Sequence, residues 1–132
     1  MTGSKDKKAV GTIDKDKFVK YLDAHAKSRS HGKCAAAVRK GLEAGGMNTT
    51  GRPGDAKDYG PFLRKKGAEV VSRNSYSPEK GDIAVFEGNG AHPYGHIEAY
   101  DGKQWVSDFK QNNFNPYRIN PTPSTLYRFP DP

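Results

Sequence analysis

An α+β fold, with N-terminal helices packed on a small antiparallel sheet, is what this sequence predicts. Two observations carry it. Apolar residues recur at helical spacing as far as Gly67 and at every second position after it, and the second half is cut by Gly, Pro, Asn and Asp into short β-type runs. Helices first and strands afterwards argue against a βαβ repeat. A chain of 132 residues fits one domain. Its expected bounds are 12–132, preceded by a flexible basic tail over 1–11, "MTGSKDKKAVG".

The first helix is read from "TIDKDKFVKYLDAHAKS", where Phe18, Tyr21, Leu22 and His25 share a face and Thr12 or Asp14 supplies the N-cap. After the turn-forming "SRSHGK", a second helix begins at Cys34. It sets Cys34, Val38 and Leu42 at i, i+4 and i+8 and ends at Gly45-Gly46. Its small residues Ala35, Ala36, Ala37 and Gly41 predict close packing against a sheet. A third helical piece falls within "GDAKDYGPFLRKKG", where Pro61 either starts a new turn or kinks the helix and Gly67 closes it. The strands are "AEVVS", "DIAVFEG", "GHIEAYDG", "QWVSDF" and "TLYRF", and the Pro-rich "NPYRINPTPST" is an irregular connection before the last.

Composition narrows the function. The opening residues hold no apolar run, so no secretory signal is expected and the chain should be made in the cytoplasm; no stretch is apolar enough for a membrane span. One cysteine excludes an internal disulfide, and neither a structural zinc site nor a cofactor motif is present. A net charge of +7 suits an anionic partner. The basic residues are scattered and accompany no nucleic-acid-binding signature, so nucleic acid is not the expected partner. A monomer is expected.

Cys34 has two readings. Free cysteine packs well in cores, so it could be a buried structural residue. Alternatively, a helix N-terminus favours a thiolate through its free N–H groups and dipole, and Lys33 and a histidine could arm it further. His96 opens a strand directly after Gly95, with Glu98 and Tyr100 on its own face and Ile97 and Ala99 on the other. A three-residue loop Asp101-Gly102-Lys103 would pair Tyr100 with Gln104 and set His96 opposite Asp108, whose carboxylate could orient the imidazole. A two-residue turn would put Ser107 there instead. Glu98 is the competing orienter.

The order of Cys34 at a helix start, "KGDIAVFEG", "YGHIEAYDG" and "VSDF" resembles the CHAP and NlpC/P60 families of papain-like cysteine peptidases and amidases that cut peptidoglycan. The resemblance spans roughly residues 30 to 110 and implies a papain-like fold with Cys34, His96 and Asp108 as catalytic residues. In the strand after the histidine those families commonly carry Glu or Asn, where this chain has Asp108 followed by Gln111, Asn112 and Asn113. The backbone N–H of Cys34 is the first oxyanion donor to consider, with a side chain of "SRSHGK" as the second. His31 and His92 are read as loop histidines.

What the resemblance implies is hydrolysis of an amide in the peptide stem of peptidoglycan, without cofactor, in the periplasm or wall of a target cell. With no signal peptide expected, export would follow a non-classical route. Small members of the superfamily serve as amidase effectors of type VI secretion, each with a cognate immunity protein, and others as phage lysins. A papain-like protease or deamidase acting on a protein, and a non-catalytic basic binding module with Cys34 in its core, are the rival readings.

Overall fold

The computed structural model describes residues 11–30, 32–116 and 123–131. Apart from Gly11, the tail expected over 1–11 lies outside them, as do His31 and most of the Pro-rich connection. Three helices come first: α1 (Lys15–His25), α2 (Cys34–Ala44) and, after a 3-10 turn at Ala56–Asp58, α3 (Tyr59–Lys65). Five strands follow: β1 (Glu69–Val71), β2 (Ile83–Phe86), β3 (His96–Tyr100), β4 (Trp105–Val106) and β5 (Ser124–Arg128). They form one antiparallel sheet in the order β1-β5-β2-β3-β4. The α+β expectation holds, and each of the five β-type runs contributes its strand. No helix among the described residues is long and apolar enough to cross a membrane.

Local chemistry explains the element ends. Asp14 is the α1 N-cap, its carboxylate accepting the Lys17 N–H at 3.0 Å. α2 begins at Cys34 as the sequence predicts, and Gly46, at φ 99°, carries the chain out of it in a conformation that favours glycine. The small residues of α2 serve a second contact besides the expected one with the sheet. A Cβ on Gly41 would lie 2.9 Å from the Phe18 ring, so glycine there brings α2 close to α1 and not only to the sheet.

The sheet buries both faces, which is why β2 is apolar at every position. Ile83, Val85, Ile97, Ala99, Val106 and Tyr127 join Phe18, Leu22, Val38 and Leu42 of the helices in the main core. The opposite face gathers Ala84, Phe86, Trp105 and Leu126, with Tyr100 and Phe114 packed against them. Tyr100 is thus on the face opposite Ile97 and Ala99, as strand alternation requires.

The "KGD" of the β2 entry is structural. Asp82 is fully buried and takes both arms of Arg128, at 2.7 Å from Nε and 2.8 Å from Nη2, together with the Tyr76 hydroxyl at 2.7 Å and the Glu79 N–H at 3.0 Å. This fork ties β2 to β5 at the sheet centre. Removing one partner of a buried pair leaves the other charge uncompensated. Asp82→Ala should therefore lower the unfolding free energy by about 3 kcal/mol or more, read from urea denaturation. A loss within that of ordinary surface substitutions would show the fork to be dispensable.

Candidate active site

Helix α2 and strand β3 bring Cys34 and His96 to one place. Cys34 is the first residue of α2 and half-buried, and His96 is the first residue of β3 and buried. Both line an open cleft of about 880 Å³ whose other wall is formed by Gly54 to Ala56 and by the loop from Ala91 to Gly95. Cys34 is near enough to the imidazole to raise the proton affinity of His96. Gly95 sets the entry to β3: its φ is 74°, and a Cβ there would lie 2.5 Å from the Phe86 carbonyl oxygen. Only glycine lets the chain turn this close to β2 and aim His96 into the cleft.

The far side of the imidazole is held by Gln111 and Glu98. His96 Nε2 lies 2.9 Å from Gln111 Oε1 and 3.2 Å from Glu98 Oε1. The Gln111 amide nitrogen donates to Glu98 Oε1 at 2.6 Å and to the Asn113 carbonyl at 3.1 Å, so its oxygen is the atom that faces Nε2. An amide oxygen only accepts, hence Nε2 carries a hydrogen. Nδ1 is then the nitrogen left for Cys34. Ser107 Oγ, 3.0 Å from the same Gln111 oxygen, completes the cluster, and Ser107, Glu98 and Gln111 are all buried.

Burial disfavours a charged imidazole, but the hydrogen bonds to Cys34 and Glu98, and their negative charge, more than offset it and push His96 up from 6.5 to about 10. Burial also raises Glu98 above the ordinary carboxyl range, against the opposing pull of His96 and Gln111. Its second oxygen, Oε2, is buried and has no partner among the described residues. The cluster favours a protonated histidine beside a carboxylate that would shed its proton more readily in water.

The expected hairpin register does not form. Tyr100 pairs with Trp105 and Ala99 with Val106, because four residues, not three, turn the corner. Asp101 Oδ1 closes that turn by accepting the Lys103 and Gln104 N–H groups, each at 2.8 Å. β4 ends after two residues, and the chain doubles back: Val106 bridges Lys110, and the Ser107 N–H donates to the Phe109 carbonyl at 3.0 Å. This reversal brings Gln111 beneath His96. Asp108 is turned to the start of α2 instead, its Oδ2 accepting the Lys33 N–H at 3.0 Å and its Oδ1 3.3 Å from Ser107 Oγ. The orienting partners of His96 are Gln111 and Glu98, not Asp108. Glu98 was legible as the alternative from its place on the His96 face. Gln111 was not read as a partner of His96, its one signal being an amide just after Asp108. His92, read as a loop histidine, lines the same cleft.

No protein-family model and no curated protein matches the sequence. Among solved structures the chain is similar to the native type VI effector-immunity complex Tae3-Tai3 from Ralstonia pickettii. The match has 34% identity and a TM-score of 0.77, over 88% of this chain and 98% of that one. The selenomethionine form of the complex matches at 38% identity and a TM-score of 0.77, over 85% and 99% of the two chains.

Two expectations follow from the geometry. Gln111→Ala removes the acceptor that fixes the Nε2 hydrogen, and should slow any reaction at Cys34 by about 10- to 100-fold, the worth of a hydrogen bond to a charged group. The pH dependence has a definite sign. A histidine raised to about 10 in the folded chain contributes stability that is complete below about 6.5 and is lost as the pH rises through about 10. Glu98→Gln should move the His96 midpoint, followed by ring ¹⁵N shifts, to lower pH; an unmoved midpoint would remove Glu98 from the site.

Proposed function

The chain belongs to the Tae3 family of type VI effectors, and from that premise we propose that it is an antibacterial cysteine hydrolase that cuts an amide in the peptide stem of peptidoglycan. The observation that carries the reading is a thiol at a helix N-terminus that shares a cleft with a buried histidine, raises that histidine's proton affinity, and faces a ring whose Nε2 is already engaged. A cysteine kept only for packing needs no such partner. The fold would be papain-like, as the resemblance to the NlpC/P60 and CHAP families implies, with helix and strand meeting at the cleft.

His96 takes the Cys34 proton at Nδ1, and the sulfur attacks the amide carbonyl carbon. The developing oxyanion is met by the backbone N–H of Cys34, one of the first-turn donors that an α-helix leaves without an intrahelical acceptor. Ser30, which lines the cleft, offers a second donor from the "SRSHGK" segment. Collapse of the intermediate breaks the C–N bond, the proton on His96 passes to the leaving amine, and a thioester remains. His96 then draws a proton from water as the oxygen attacks the thioester carbon, the C–S bond breaks to release the carboxylic acid, and the proton on His96 returns to the sulfur. Gln111 and Glu98 hold the ring in place throughout. Asp108 acts through the helix instead: its carboxylate fixes the Lys33 N–H immediately before the nucleophile.

Delivery into a rival cell would place the enzyme in the periplasm, and by analogy with the Tae3-Tai3 pair a cognate immunity protein would protect the producer. Open walls suit a polymer that enters from the side. Mass spectrometry of purified peptidoglycan fragments should show one amide cut by the chain and none by Cys34→Ala at matched fold and concentration; intact cleavage by the alanine variant would overturn the assignment. Asp108→Asn, which keeps an acceptor for Lys33, should retain most activity, whereas Asp108→Ala should lose it about tenfold or more. Equal losses in the two variants would restore a charge-dependent role for Asp108. Expressed in a Gram-negative cytoplasm the chain should be tolerated, and fused to a cleavable export signal it should lyse the cells only with Cys34 intact.

A further inference from the structure

A second groove, of about 360 Å³, adjoins the catalytic cleft and shares with it Lys33, the N-cap of α2, and Lys40 of α2. Lys33 stands at the start of the helix and Lys40 lies nearly two turns along it. The groove's other lining comes from Tyr21 and His25 of α1, from Lys27 after it, and from Asp108. The backbone of Lys27 is pinned, its N–H donating to the Asp108 carbonyl at 2.9 Å and its own carbonyl accepting the Lys110 N–H at 3.2 Å.

The charges in this groove do not cancel. Lys27, Lys33 and Lys40 are exposed, and none of their ammonium groups has a hydrogen-bond or ion-pair partner among the described residues. Asp108 is the carboxylate of the lining, and its Oδ2 is occupied by the Lys33 N–H. His25 is turned to its own helix, with Nδ1 2.9 Å from the Tyr21 carbonyl and its ring stacked on Tyr21 at 3.9 Å. Three cations thus face one engaged carboxylate. Their mutual repulsion favours an anion, and the groove walls focus the field onto it.

We propose that this groove is a substrate subsite that binds a carboxylate of the peptide chain whose amide lies at Cys34, with Lys27 and Lys40 as its ligands. The inference rests on the peptidoglycan reading above for the identity of that chain. A strand that passes Cys34 and continues along α2 runs from the cleft into the groove over the shared residues. Lysine suits such a subsite because a compact ammonium on a flexible stem follows a carboxylate whose position varies, where an arginine fork would demand one geometry.

Calorimetry with the Cys34→Ala chain tests it, using a purified disaccharide-tetrapeptide from peptidoglycan and the same fragment with its carboxyl groups amidated. Lys27→Gln with Lys40→Gln should weaken binding of the carboxylate form by about tenfold, an effect that shrinks as salt is added, and leave binding of the amidated form unchanged. The control pair Lys20→Gln with Lys65→Gln removes the same charge away from the groove and should change neither. Equal weakening by both pairs, or an amidated fragment that binds as tightly as the acid, overturns the subsite. In the active chain the groove pair should raise KM and spare kcat. Cleavage that is indifferent to the two lysines removes the subsite alone, whereas the predicted binding pattern in a chain that never cleaves the fragment leaves the subsite standing and removes the hydrolase reading.

Discussion

Everything at this site depends on what holds the far nitrogen of His96. Because the Gln111 oxygen can only accept, Nε2 must keep its hydrogen, and the lone pair of the neutral ring is left on Nδ1 for the thiol. Were Nε2 facing solvent, either tautomer could form and a base would be available only part of the time. The Gln111 side chain is itself fixed, with its amide nitrogen on Glu98 and on the Asn113 carbonyl. A neutral amide and a carboxylate therefore act on the same ring in different ways. The amide selects the tautomer, and the carboxylate favours the charged ring that forms when Cys34 loses its proton.

That arrangement carries a cost. His96 and Glu98 are both buried, and one oxygen of Glu98 has no partner among the described residues. An orphaned carboxylate oxygen in a core is destabilising by itself. It is tolerated because the surrounding frame is determined elsewhere: Asp82 and Arg128 lock β2 to β5, and Phe86, Trp105 and Phe114 pack the sheet face around the cluster, with ring centroids 5.0 to 5.1 Å apart for the two pairs that include Phe114. Sites that break a local rule inside a well-specified scaffold are where function is normally found.

The sequence made some of this legible. Periodicity shifts from helical to alternate at about Gly67, and the structure follows it through three helices and five strands. Cys34 at a helix start and His96 after Gly95 were readable because helix starts and glycine-dependent strand entries leave local marks. The third partner was not readable, since it depends on a corner. Asp101 captures two backbone N–H groups and lengthens the β3–β4 turn by one residue, which shifts the ladder. β4 then stops after Val106, and the reversal that follows brings Gln111 where a longer strand would have carried Asp108. In an alternating strand a shift of one residue exchanges faces, so an error of one position in a loop replaces one neighbour of His96 with another. The role of Asp108 at the α2 start was hidden for a similar reason, because it joins residues 75 apart in the chain.

The central claim is that Cys34 is a nucleophile because His96, fixed by Gln111 and Glu98, arms it. The rate of alkylation of native Cys34 by iodoacetamide near neutral pH, in the unaltered chain and in His96→Ala, tests this most directly. The account predicts fast labelling of the native thiol and a large loss of rate when the imidazole is removed, with circular dichroism unchanged. Labelling that occurs only after denaturation, or a native rate indifferent to His96, would contradict it and return Cys34 to the core.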